Sequence, residues 1–189
     1  SYRGEESSGY AAQSHTAAIE FIASVVAEEK IDCDFRRVNG YLFLHPTDKS
    51  KSIDDEFLAT RRAGIKTKLL KDVPGIPTEN GPCLQFPNQA QFHPLKYLKG
   101  LTDAIIKMGG EIYTETHAAE IKEGLVKANG FEIKAEHIVV ATNTPINDLF
   151  TMHTKQFPYR TYVVGLKIPR SAVQPALWWD TGDHDSKWI

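Results

Sequence analysis

Five of the chain's ten prolines, Pro74, Pro77, Pro82, Pro87 and Pro94, stand within one short stretch. Proline lacks an amide hydrogen and its ring clashes with the preceding helical turn, so no regular helix crosses residues 72–94. With Gly75 and Gly81 among the prolines, the stretch reads as extended chain crossing between two subregions. Whatever this sequence builds is therefore assembled from the pieces on either side of that crossing.

On the upstream side, residues 1–14 are polar around Ser7-Ser8-Gly9 and read as a loop. Ile19, Ile22, Val25 and Val26 then mark one apolar face and predict a helix from Thr16 to Lys30. Asn39-Gly40 lies between two strand-like runs, Phe35–Val38 and Tyr41–Leu44, and predicts a tight hairpin turn. A second helix is expected after Ser52, with Asp55 three residues on, apolar Phe57, Leu58 and Ala59, and a stop at Gly64.

On the downstream side, Pro94 opens the clearest helix. A proline costs nothing at the first helical position, where the N–H has no partner anyway. Leu95, Leu98, Leu101 and Ile105 line one face, and Gly109-Gly110 supplies the left-handed stop. Strands are expected at Glu111–Thr116 and Glu120–Lys127, and Asn129-Gly130 turns the chain into Phe131–Lys134. The apolar run Ile138-Val139-Val140-Ala141 reads as a fully buried strand of a parallel sheet, ending at Thr142 before the turn Asn143-Thr144-Pro145. Tyr159–Ile168 predicts a long strand, and Leu177-Trp178-Trp179 one more.

Several chemistries are excluded by what the sequence lacks. It contains no GxGxxG after a strand, no GxxxxGK[ST], no HExxH and no GxSxG. Its formal net charge of −2 gives no electrostatic reason to expect nucleic acid or a membrane surface. No run approaches the ~20 apolar residues of a membrane span. Cys33 and Cys83 are too far apart for a CxxC motif and read as reduced structural thiols, which suits the cytoplasm. The polar start is unlike a signal peptide, and without an initiator Met the chain is expected to be an excised or processed fragment.

Individual side chains invite two readings each. His93 either touches a bound ligand or caps the helix that starts beside it. Trp178 and Trp179 face opposite sides of one strand, so one walls a pocket or packs in the core while the other is exposed. Arg160, between Tyr159 and Tyr162, either holds a carboxylate through its fork of donors or packs against an acid along a sheet. Asp180, Asp183, His184 and Asp185 form either a metal site or, as such loops usually do, a solvated acidic loop.

Taken in order, several runs resemble the D-amino-acid oxidase-like family of FAD-dependent oxidoreductases. Gly40-Tyr41-Leu42 is similar to that family's first substrate-domain strand. His93-Pro94-Leu95 through Gly109-Gly110 resembles the helix leading back into the flavin domain. Glu111–Thr114 and Thr116–Ile121 resemble the strand pair beyond it. Ile138–Asn143 resembles the apolar strand that ends in Ala-Thr-Gly, with Asn143 where the family usually has Gly. Pro158-Tyr159-Arg160 resembles the return into the substrate domain. The runs Asp32–Leu44 and Phe86–Pro94 are most similar to a subgroup often fused to a Rieske iron–sulfur domain.

The resemblance implies an α/β (mixed α+β) fold with a partial FAD-binding sheet and its helices, from residues 10–30 and 88–150. A mostly antiparallel substrate-domain sheet would come from residues 31–87 and 151–189. It implies FAD as cofactor, an amine or amino acid as substrate, and transfer of a hydride equivalent from a C–N bond to the flavin. It places the backbone of Ala118, beside His117, on the adenine side of FAD, and Ala141, Thr142 and Asn143 at the cofactor end of their strand. Tyr41 and Arg160 fall on the substrate side, and no catalytic residue is assigned. Because the family's phosphate-binding turn and its C-terminal flavin-contacting strand are missing, the chain alone is expected to bind FAD weakly or not at all. The alternatives are a non-catalytic binding module on the same architecture, or a nicotinamide-dependent enzyme whose dinucleotide turn lies elsewhere. The flavin reading leans on the helix ending at Gly110, the hairpin and a parallel strand ending at Thr142 forming half of a nucleotide-holding sheet.

Overall fold

The computed structural model describes residues 4–75, 81–142, 160, 162–169 and 172–182. The chain forms two compact units, Ser1–Gly110 with Ile168–Ile189, and Glu111–Lys167.

The first unit is built on a four-stranded sheet. Strands β1 (Arg36–Phe43), β2 (Lys68–Leu70), β3 (Cys83–Gln91) and the later Ala176–Asp180 lie in the order β2, β3, β1, Ala176–Asp180. β1 and β2 both run antiparallel to β3, whereas Ala176–Asp180 runs parallel to β1 with Tyr41 opposite Trp178.

Asn39-Gly40 makes no hairpin. Such a turn requires positive φ at both residues, and neither has it. Both instead lie inside one continuous strand. The irregularity sits on the partner: Val38 pairs with Gln89 and Gly40 with Phe86, so Pro87 and Asn88 bulge opposite Asn39. A bulge is where a sheet tolerates a proline's missing donor, and Asn88 takes the left-handed φ of 58° it needs. Arg37 Nη1 donates to the Asn88 carbonyl at 3.1 Å. The proline-rich crossing therefore contains a regular strand, β3, where only extended chain was expected.

Alternation along β1 and β3 divides the core between two faces. Tyr41 and Cys83 pack with Val73 on one face, supported by Leu70, Phe43 and Trp178. Leu42 and Leu84 pack with Ile53 of helix α2 (Lys51–Arg62) on the other, supported by Phe57 and Phe86. Beside this face the buried hydroxyls of Thr60 and Thr67 bond each other at 2.8 Å.

Helix α1 spans Gly4–Glu28, so the polar start is helical rather than a loop. Glu5 and Glu6 favour its positive end, and Tyr10 donates to Glu6 one turn away at 3.0 Å. It buries no residue fully, and Glu20 pairs with Arg37 at 2.6 Å. Helix α3 (Pro94–Lys107) stops as expected, with Gly109 at φ 87°.

The second unit contains a three-stranded antiparallel meander of β4 (Ala118–Lys122), β5 (Leu125–Ala128) and β6 (Phe131–Lys134). Asn129 and Gly130 both have positive φ, 47° and 84°, and form the expected turn. Gly124, at φ 71°, divides the strand expected over Glu120–Lys127 into two. Glu111–Thr116 is not a strand.

The buried parallel strand expected at Ile138–Thr142 is absent. Val139 is 87 % exposed, and no ladder includes the run. A strand buried on both faces needs neighbours on both sides, and the described residues provide none. Residues 162–169 likewise form no strand, with Tyr162, Val163 and Val164 exposed. The final strand, β7 hereafter (Ala176–Asp180), is present as expected.

Candidate functional site

The substrate-side expectation centres on Tyr41, and the structure gives it a built environment. Tyr41 is buried on the β1 face that also carries Trp178, whose ring stacks with it at a centroid distance of 6.4 Å. Trp178 Nε1 donates to the Pro74 carbonyl at 3.2 Å, which fixes the indole. Asn39 Nδ2 and Gln85 Nε2 both donate to the Tyr41 hydroxyl oxygen at 3.4 Å. Two amides thus occupy the oxygen as an acceptor and leave the phenol's own proton as a donor. Trp179 lies on the opposite face, against Phe86 at 5.4 Å, and is partly exposed.

Asn39 and Gln85 were not singled out from the sequence. The available signal was period-2 alternation, which places Asn39 and Tyr41 on one side of β1, but the register that brings Gln85 opposite Tyr41 is a long-range fact.

His93 acts as a helix cap: its Nδ1 accepts from Lys96 N at 3.4 Å. Lys96 Nζ also binds Asp34 at 2.7 Å. That contact holds the Asp34 carboxyl below its ordinary pKa and raises that of Lys96. Burial pushes the Cys83 thiol up, with help from Asp72, and its Sγ donates to the Asp72 carbonyl at 3.3 Å. Cys83 is thus a structural thiol, not a thiolate nucleophile. Cys33 is also buried and unbridged.

The cofactor-side expectations fall in the second unit. His117 is exposed immediately before β4, and Ala118 begins that strand opposite Ala128, with an irregular register before Glu120. Ala141 and Thr142 are exposed and lie outside any strand. Asn143 lies outside the described residues. Arg160 is exposed and not in the long strand expected around it, while Tyr159 is also outside the described residues. Asp180 accepts from Gly182 N at 2.9 Å, and among the described residues no group of acids, histidines and cysteines is arranged to hold a metal. Asp183, His184 and Asp185 are not described.

Tested against FAD, these residues do not make a complete site. A dinucleotide diphosphate needs several convergent backbone N–H groups, usually from a glycine-rich turn at a helix start, and the sequence holds no such turn. The strand end that would meet the cofactor is exposed rather than seated in a sheet.

The mixed sheet of the first unit, flanked by α2 and leading through β3 into α3, defines a mixed α/β fold. Two solved structures share it. Glycine oxidase from Bacillus cereus ATCC 14579 superposes with a TM-score of 0.54 at 14% identity, covering 67% of this chain and 38% of that one. L-amino acid deaminase from Proteus vulgaris gives 0.53 at 19% identity, covering 67% and 33%. The sequence profile of the FAD dependent oxidoreductase family matches residues 2–187, and the chain belongs to that family. YhfW of Bacillus subtilis (strain 168), which carries the name of a Rieske 2Fe-2S iron–sulfur protein, is 36% identical over 155 residues. That alignment covers 79% of this chain but only 30% of YhfW. Family membership thus rests on the whole run of the sequence and not on the strand at Thr142, which is absent. Among the described residues no helix is long and apolar enough to cross a membrane.

Proposed function

We propose that this chain is part of an FAD-dependent enzyme that oxidises the C–N bond of an amine or amino acid. The family match across residues 2–187 carries the proposal. The glycine oxidase and L-amino acid deaminase folds support the substrate class. YhfW supports a longer protein in which a Rieske domain accompanies the oxidoreductase part.

Within this reading, residues 31–87 and 151–189 serve the substrate side, and residues 10–30 and 88–150 serve the flavin side. Tyr41 is assigned to the substrate side, and its hydroxyl proton, left as a donor beside Trp178, supports that assignment although the ring itself is buried. Arg160 is assigned to the same side, and His117, Ala118, Ala141, Thr142 and Asn143 to FAD. Two free buried thiols suit a cytoplasmic setting.

The test has two arms. A longer protein containing this chain should purify with flavin absorbance and release ammonia when given amines or amino acids; a colourless, inactive protein would overturn the proposal. The chain by itself, lacking a phosphate-binding turn, should leave FAD fluorescence unchanged on titration. Micromolar or tighter binding would show the cofactor assignment to be drawn too widely.

A further inference from the structure

The start of β1, the end of β3 and the first residues of α3 border an open, shallow cleft of about 720 Å³, all within the first unit. Its chemistry is uneven. Phe35 and Phe92 provide apolar walls, and each ring has a side-chain neighbour. Arg37 sits 5.7 Å from the Phe35 ring, and Tyr97 meets Phe92 edge-on at 5.2 Å. The one carboxylate in the lining, Asp34, is already paired with Lys96. The helix start is also satisfied, since His93 accepts from Lys96 N.

Arg36 is different. It stands opposite Gln91 at the end of the β1–β3 ladder. Gln91, with its amide turned to satisfy both donors, accepts from Arg36 Nε at 2.7 Å and also from Nη2. That contact orients the guanidinium plane and consumes one edge of it. A guanidinium has five N–H donors, so the terminal Nη1–Nη2 edge remains as a second fork. No ion pair among the described residues includes Arg36, and the one acid that feels its charge, Asp34, has Lys96 as its direct partner. A positioned fork beside two phenyl rings matches the planar oxygens of a carboxylate on an apolar stem.

We propose that this cleft binds a small carboxylate carried on an apolar or aromatic stem, with Arg36 as the anion-binding group and Gln91 as the residue that positions it. The proposal does not depend on the flavin reading, because no flavin contact enters it.

The 189-residue chain can be titrated with 3-phenylpropionate and, in parallel, with the neutral 3-phenylpropan-1-ol, following backbone amide shifts. The carboxylate should move the amides of Arg36, Gln91 and Phe92, and the alcohol should bind at least tenfold more weakly. Arg36→Gln should weaken the carboxylate at least tenfold. Gln91→Glu places an internal carboxylate on the same guanidinium and should do likewise while keeping the cross-strand contact. This second variant decides the matter if Arg36→Gln does not fold. Equal binding of acid and alcohol, shifts clustered elsewhere, or unchanged affinity in a folded variant would each overturn the proposal.

Discussion

The Trp179 ring lies so close over Gly40 that a Cβ there would stand 2.8 Å from two of its carbons. Glycine is needed at this position for close approach and not for a turn. Gly40→Ala should force the indole outward, because Trp179 is already partly exposed and its ring end is the movable partner. Overpacking of this kind costs about 1–3 kcal/mol. The expected result is a lower melting temperature with red-shifted tryptophan emission, absent when the change is made in a Trp179→Phe background. Unchanged emission would show that the backbone yields instead. The Asp34–Lys96 pair gives a second expectation at this scale. Asp34 has a lowered pKa, so its contribution is present above the unfolded value of about 3.9 and is lost as pH falls through the folded value. Lys96 has a raised pKa, so its contribution is present below about 10.4 and is lost as pH rises through the folded value. The difference in melting temperature between the native chain and Asp34→Asn should therefore be greatest between about pH 5 and 9 and shrink at both ends. Added salt should shrink it too, since both groups are exposed. A difference that grows in acid would assign the effect to another group. Asn tolerates the left-handed φ of 56° at this position, so the substitution leaves the backbone unstrained.

The same dipeptide has opposite fates in two elements, and the contrast shows what a sequence encodes locally. At Asn129-Gly130 the flanking strands β5 and β6 pair with each other, and β4 takes only the far edge of β5, so the turn the dipeptide favours is the turn that forms. At Asn39-Gly40 the strand runs on, because β3 lies on one side and β7, from far along the chain, on the other. The helix at Pro94, with its proline start and glycine stop, was legible for the same local reason, as was the strand containing Trp178 and Trp179. The start of α1 was not, because good helix formers on either side carry the helix through Ser7-Ser8-Gly9. β3 was hidden because its Pro87 is tolerated only at a bulge whose existence depends on β1. Around the candidate site, only the strand that carries Tyr41 was legible locally, whereas Gln85 and the Arg36–Gln91 pair depend on register. Gly130→Ala tests the local case. Gly130 sits at φ 84°, where a side chain costs about 1–2 kcal/mol. The variant should speed amide exchange throughout β5 and β6 while leaving β1 and β3 of the other unit unaffected. Exchange that rises equally in both units would show that they unfold together.

At the scale of the whole molecule, the two strand-like runs that form no strand leave several large apolar side chains in solvent. Val139 is 87 % exposed, and Val163, Val164 and Leu166 are 86, 84 and 78 % exposed. Both runs are rich in β-branched residues, which are among the strongest strand formers, and neither has a ladder partner among the described residues. The chain spans 30% of YhfW and 38% of the glycine oxidase chain, so most of each such protein is sequence that this chain does not contain. Unpaired, apolar, extended backbone is a template for pairing with another chain. A net charge of −2 offers little repulsion against it. The isolated chain should therefore self-associate with rising concentration in sedimentation velocity and bind a hydrophobic dye such as ANS. Placing a charge in each run, Val139→Lys together with Val163→Lys, should suppress both signals. The melting temperature should stay within a degree or so, because neither side chain is buried and surface changes of this kind usually cost less than about 0.5 kcal/mol. A fall of several degrees would mean that the runs are packed in solution and that the exposed surface lies elsewhere. A native chain that stays monomeric and dye-free at high concentration would show that they do not act as pairing edges.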